Sequence, residues 1–431
     1  MTVINRLKLL LSHNSRSNMT INAQSSEIIA NALNGAIDKG SIAGKVFVAV
    51  DKSGELLSHH SAGKRGKDSN APMDLDTVFW IASCTKLITG IACMQLVEQG
   101  KISLDDTKSL YAAVPELKEK KVLDNGKLVD KKREITLRML LDHTAGFGYA
   151  IFNPRVRDYG YPAGIDEFSG DARDIMDTPL ANQPGEVWEY GTNVDWAGLA
   201  VERISGLSLN DYFHKHIFEP LELKNVSLFP TEEMEKNLAI MHQKYPDGSI
   251  VQQNHPMRRS LTARTPEERA DIFNSGGAGC FAKPVEYCQI LATLLNNGTS
   301  PKTGAQILSP STVDLMFTNS IPSQPNFARR GLSDAMPLLT NPLPELYPMP
   351  DNPPQGWGLT FMLTNLDGTA KTWRGRCTGN WAGIANLYYW VDREKGIAGM
   401  LASQTLPFAD ADVMGSWVAC EKAAYEGSGR A

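Results

Sequence analysis

The chain has 431 residues, 42% of them hydrophobic and 21% charged, with a formal net charge of −5. That balance suits an ordinary soluble globular protein able to bury a sizeable core, and it excludes a chain disordered throughout. Mild acidity, with no basic run interleaved with aromatics, excludes nucleic acid as a partner. No stretch approaches the ~18 uninterrupted apolar residues of a membrane span, so a small-molecule substrate is expected.

Residues 1–24 are mostly polar around Leu9, Leu10 and Leu11, a run too short for a secretion signal, and read as a flexible extension of a cytoplasmic chain. Ile28, Ile29, Ala32, Leu33, Ala36 and Ile37 recur at helical spacing up to Gly40. Lys45 to Val50 and Glu55 to His60 then read as a hairpin. Ser83, Cys84, Thr85 and Lys86 open a segment that is apolar on nearly every face and stops at Gly100, which predicts a buried helix. A small charged hairpin follows around Asp124, Asn125 and Gly126. Helices are predicted over Ile135 to Asp142, Val194 to Ile204, Leu209 to Phe218, Pro284 to Leu295 and Ser309 to Phe317.

Nine of the 24 prolines fall between Pro322 and Pro354, which reads as an ordered loop or flap, with a flexible linker as the alternative. Strand-like runs resume at Gly358 to Thr364, Gly383 to Val391 and Ile397 to Ser403, and a helix from Asp412 to Tyr425 closes the chain. One catalytic domain over residues 25–431 is expected. Its sheet lobe takes about 25–80 and 357–431, its helical lobe about 81–320, and the proline-rich loop 321–356. The six cysteines are scattered without a CxxC pair, which fits a reducing compartment.

The chemistry centres on Ser83 and Lys86. Three apart on a helix, they share one face, and an amine whose pKa is lowered by burial can take the serine's proton. A second Ser-x-x-Lys, Ser61 to Lys64, follows a strand-like run and has no apolar helix behind it. A third group is needed to carry protons to the leaving group. Tyr190, presented between Pro184-Gly185 and the next helix, is the candidate, acting as a phenolate near the lysine. His143, at a helix end before Thr144 and Gly146, reads as a brace for the site wall. His214 and His216 diverge on a helix with Lys215 between them, so no metal is expected, and no cofactor. Ser275 to Gly279 lacks the ending and setting of a phosphate loop and reads as a tight turn.

Ser-x-x-Lys at Ser83 and Lys86, then Tyr190, then a strand motif resembles the order of the serine β-lactamase and penicillin-binding-protein superfamily. Trp188, Tyr190, Gly191, Asn193, Asp195, Trp196, Ala197 and Gly198, with the His143 stretch, resemble its transesterase and family VIII carboxylesterase branch. The resemblance implies an α+β fold, an antiparallel sheet flanked by helices beside a mostly helical lobe, with Ser83, Lys86 and Tyr190 in the cleft. Lys302-Thr303-Gly304 copies the family's strand motif but sits in a loop without strand signal. Counting back from the later strand puts that motif on Cys377, Thr378 and Gly379, so cysteine stands where the family carries lysine. Loss of that cation, partly offset by Arg374 or Arg376, argues against β-lactam chemistry.

The resemblance further implies an oxyanion hole formed by the Ser83 N–H and that of Asn380 or Trp381. Substrate contacts are expected from Trp381, Phe147, Tyr149, Phe152, Asn193 and Arg374. The expected activity is acyl transfer through Ser83, from an ester or thioester donor, free or carrier-bound, to a small-molecule alcohol, by a monomeric enzyme. Carboxyl ester hydrolysis is the alternative. A β-lactamase or D-amino peptidase, or a ligand-binding relative without catalysis, ranks below both.

Overall fold

The computed structural model describes residues 21–431, and residues 1–20 of the expected extension lie outside them. The first helix, α1 (Ala23–Asp38), starts slightly earlier than the sequence suggests because Asn22 caps it, its side chain accepting from the Ser25 N–H at 2.8 Å. Ile21 is already buried, so the last four residues of that extension belong to the fold.

The hairpin forms as β1 (Gly44–Asp51) and β2 (Leu56–Gly63). The serine-bearing segment becomes a single 3-10 turn, Ala82–Cys84, leading into α2 (Thr85–Glu98). Twelve of the fourteen residues of α2 are buried, which is why its apolar residues occupy every face rather than one stripe. At about 2 kcal/mol for each large side chain removed from water, this helix anchors the lobe around it. Gly100, one residue past the cap, takes φ +67° while Lys101 N–H reaches back to the Leu96 carbonyl at 3.0 Å, a glycine-ended stop.

The middle of the chain supplies α3 (Asn193–Ser205) and α4 (Pro284–Leu295). The sheet resumes with β3 (Gly356–Trp357), β4 (Met362–Thr364), β5 (Thr378–Gly383), β6 (Leu387–Asp392) and β7 (Ile397–Ser403), and α5 (Ala411–Gly427) ends the fold. The seven strands lie in the order β3-β4-β5-β6-β7-β1-β2, every neighbouring pair antiparallel. β1 and β7 are buried almost end to end because both faces of the sheet are covered. Lys45 and Phe47 face the terminal helices: Lys45 Nζ donates to Ser416 Oγ of α5 at 2.7 Å and to the Ala32 carbonyl of α1 at 3.2 Å. On the opposite face, Tyr389 of β6 meets Tyr287 of α4 with ring centroids 5.5 Å apart.

Two readings change. The helix at 284–295, grouped above with the helical lobe, packs on the sheet, where Cys288 Sγ contacts the Val48 carbonyl. The run read as one strand from Gly383 to Val391 is two strands, β5 and β6, reversing through Ile384–Asn386 with Asn386 at φ +61°. The proline-rich segment is ordered: it holds a 3-10 turn at Phe327–Arg330 and folds on itself through the Leu332–Leu343 bridge. Lys302-Thr303-Gly304 lies in a turn outside every strand.

Candidate active site

Ser83 sits in the middle of the 3-10 turn, just after Ala82, a non-glycine residue held at φ +46°. Such a left-handed conformation is unfavourable for a side-chain-bearing residue and persists only when its surroundings enforce it. One turn on, Lys86 is fully buried in α2 and its Nζ donates to three oxygens: Ser83 Oγ at 3.1 Å, Tyr149 Oη at 3.1 Å and the Gly277 carbonyl at 2.9 Å. Among the described residues it makes no ion pair. Burial therefore pulls its pKa down to about 7, with the Asp195 charge opposing the fall.

Asp195 acts at one remove. Fully buried at the start of α3, it accepts from Ser275 Oγ at 2.6 Å and from the Gly277 N–H at 3.0 Å, and so fixes the turn whose carbonyl holds the lysine. Burial raises the Asp195 carboxyl, and the nearby lysine limits the rise. Ser275 to Gly279 is a tight turn as expected, but its backbone reaches into the lysine's environment.

Tyr190 is held over the same lysine, whose Nζ lies 4.7 Å from its ring centroid. Its loop is fixed by backbone bonds from Glu189 N–H to the His143 carbonyl and from Tyr149 N–H to the Tyr190 carbonyl. Gly191 is required here, since a Cβ would stand 2.1 Å from the Phe147 carbonyl oxygen. The phenol accepts from Trp381 Nε1 at 2.9 Å, and the rings of His143, Tyr149 and Trp381 surround it at 4.9 to 5.3 Å. Burial drives its pKa upward, only partly offset by hydrogen bonds to Ser83 and Trp381. Burial thus favours the neutral phenol over the phenolate expected from the sequence.

These groups open onto a partly open, mainly apolar cavity. Ser83, Tyr149, Phe152, Tyr190, Asn380 and Trp381 all contribute to its wall, so five of the expected site residues besides the serine meet there. Three expected substrate contacts do not. Asn193 is buried behind the site, its Nδ2 hydrogen-bonded to His143 Nδ1 at 3.0 Å and to the Phe147 carbonyl at 3.1 Å. Phe147 is fully buried and stacks on Trp196 with centroids 5.3 Å apart. Arg374, 1% exposed, is committed to Glu421 of α5 through bonds of 2.6 and 2.8 Å, to Asn380 Oδ1 at 2.7 Å and to the face of Tyr347 at 4.0 Å. With its charge paired to Glu421, it cannot replace the motif lysine. Cys377, which the sequence reading put at that lysine's position, lies outside the cavity wall and turns its thiol to the Leu366 carbonyl at 3.4 Å.

The reading from sequence missed the grip on Lys86. Tyr149 was expected only as a wall, and the Gly277 carbonyl and Asp195 had no expected role; the one available signal was the glycine-rich turn itself.

The family profile described as Beta-lactamase matches residues 29–420. Over 398 residues the chain is 32% identical to lovastatin esterase of Penicillium rubens, covering 88% of this chain and 93% of that protein. It is 29% identical to monacolin J acid methylbutanoyltransferase of Aspergillus terreus, over 89% of this chain and 91% of that one. The unliganded structure of simvastatin synthase (LovD) from Aspergillus terreus superposes with a TM-score of 0.75 at 26% identity, covering 95% of this chain and all of that one.

Proposed function

Since the chain belongs to the Beta-lactamase family and has acyltransferases and an esterase among its relatives, we propose that it is a serine acyltransferase working through Ser83, Lys86 and Tyr190. The observation that carries this reading is a buried, unpaired lysine amine 3.1 Å from the serine hydroxyl. As an ammonium, Lys86 uses three N–H groups for its three acceptors; as an amine it has a lone pair to receive the Ser83 proton. With a pKa near 7, a large fraction is in that form at neutral pH.

Ser83 Oγ then attacks the carbonyl of an ester or thioester donor, free or carrier-bound. The oxyanion is held by the Ser83 N–H and that of Asn380 or Trp381 at the edge of β5. Tyr190, protonated, passes its proton to the leaving group and is reprotonated through Lys86. In the second half-reaction the same pair deprotonates an alcohol, which takes the acyl group. The mainly apolar lining of the cavity supports transfer, because it favours an alcohol with an apolar body over water. Hydrolysis is the second reading, supported by the esterase among the relatives. Cys377 and the committed Arg374 leave no cation for a β-lactam carboxylate, and the intact Ser-Lys-Tyr set speaks against a purely ligand-binding role. Six free thiols, five of them buried, support a reducing, cytoplasmic setting, and the reading takes the enzyme as a monomer.

Intact-mass spectrometry of wild type and Ser83→Ala after brief exposure to an activated short-chain thioester tests this. One acyl adduct, lost in the variant and discharged faster by a hydrophobic alcohol than by water, is expected. Discharge by water alone would make the enzyme an esterase. An adduct that survives in Ser83→Ala would overturn the assignment of the nucleophile.

A further inference from the structure

Among the described residues, the cavity wall contains no lysine, arginine, histidine, aspartate or glutamate. Its polar atoms are hydroxyls, an amide and indole N–H groups, and several are already engaged. Tyr388 Oη donates to Asn386 Oδ1 at 3.0 Å, Trp381 Nε1 to Tyr190, and Asn380 Oδ1 accepts from Arg374. Both nearby cations are spoken for: Lys86 by three oxygens, Arg374 by Glu421. Away from the catalytic residues, two other parts of the chain contribute to the wall. Leu332, Leu343 and Leu346 come from the proline-rich segment, Met414 and Trp417 from α5. Trp417 Nε1 is buried with no partner among the described residues, a neutral donor beside the cavity.

We propose, on the basis of the acyl-enzyme reading above, that this cavity takes an apolar, uncharged substrate and rejects the carboxylate form of the same skeleton, with Leu332, Leu343, Leu346, Met414 and Trp417 setting that selectivity. A carboxylate entering here would shed its water and find no cation among the described residues to replace it. An ester or lactone carbonyl sheds far less hydration and needs only one donor. The inference is independent of whether the acyl group goes to an alcohol or to water, because it concerns what the wall accepts. It also separates this chain from the relative whose name specifies an acid substrate, at the level of the acid group alone.

The test compares two activated donors of one skeleton, p-nitrophenyl methyl suberate and p-nitrophenyl hydrogen suberate, at a pH where the free carboxyl is ionised. Nitrophenolate release and the mass of the Ser83 adduct are read for wild type, Leu343→Arg and Leu346→Lys. The neutral donor should acylate Ser83 at least about 100-fold more efficiently in wild type. In either variant the ratio should shrink by about 10-fold or more, mainly through faster reaction of the acid. Two variants at separate positions keep the test decisive if one fails to fold, and the wild-type ratio needs neither. Equal acylation by both donors, or preference for the acid, would overturn the inference while leaving the acyl enzyme intact. Failure of both donors to modify Ser83 would overturn the reading on which it rests, and the inference with it.

Discussion

Two buried cations lie near the candidate site, Lys86 beside Ser83 and Arg374 beside Asn380, and they have opposite fates. Arg374 is enclosed with a carboxylate, bidentate to Glu421, and its positive charge is held firmly on. Lys86 donates to three neutral oxygens and, among the described residues, makes no ion pair, so the same loss of water turns it into a weakly basic amine near pH 7, with the more distant Asp195 charge opposing the fall. Desolvation is common to both sites. Pairing makes one a structural rivet, and its absence makes the other a base.

The contrast breaks first at the nucleophile and its base. Ser83→Ala should abolish adduct formation, and Lys86→Met should lower the acylation rate by about 10³-fold or more, measured with an activated ester. The lysine variant should at the same time be more stable than wild type, by about 1–3 kcal/mol near pH 6 in urea unfolding. The sign follows from linkage. The folded pKa of Lys86 lies below its unfolded value of 10.5, so the folded state binds fewer protons and ionised lysine opposes folding. That penalty is full below about pH 7 and fades as pH rises toward 10.5. Arg374→Met should do the reverse, costing about 3–5 kcal/mol by stranding Glu421, with little change in the pH dependence of whatever activity survives. A stabilising Arg374 variant would erase the distinction between the two sites.

Smaller effects sharpen it. Tyr149→Phe removes one of three acceptors from Lys86 and should slow acylation about 10-fold while moving the pH profile. Trp381→Phe removes the indole N–H bonded to the Tyr190 phenol and should slow it several-fold, with the profile in place.

How much of this was legible in the sequence depended on distance along the chain. Ser83 and Lys86 announce themselves because a helix brings residues three apart together, and α2 is apolar enough to declare its own burial. Tyr190 could be read from motif order, and the terminal helices and the β1–β2 hairpin from periodicity. The grip on the lysine could not be read. Tyr149 Oη is 63 residues away, and Gly277 contributes a backbone carbonyl 191 residues away that no side chain advertises. Arg374 misled for the same reason. Locally it looked like a free cation beside a motif that had lost one, but its partner Glu421 lies on the last helix and was invisible until β5 and α5 were packed together. Asn193 and Phe147 belong to a motif-rich stretch, yet the close approach of Gly191 to Phe147 turns both behind the wall instead of into it. The break between β5 and β6 was hidden because Ile384 and Ala385 continue the apolar run through the reversal.

The most direct test of the account is the pH dependence of Ser83 acylation, followed by the pre-steady-state release of an activated ester's leaving group, in wild type and Asp195→Asn. The wild-type rate should climb as pH rises through about 7, as Lys86 loses its proton. Removing the Asp195 charge, which supports the ammonium, should move that limb to lower pH. A wild-type rate that stays flat from mildly acidic to mildly alkaline pH, or a limb that Asp195→Asn moves upward, would contradict the assignment of the buried lysine as the base.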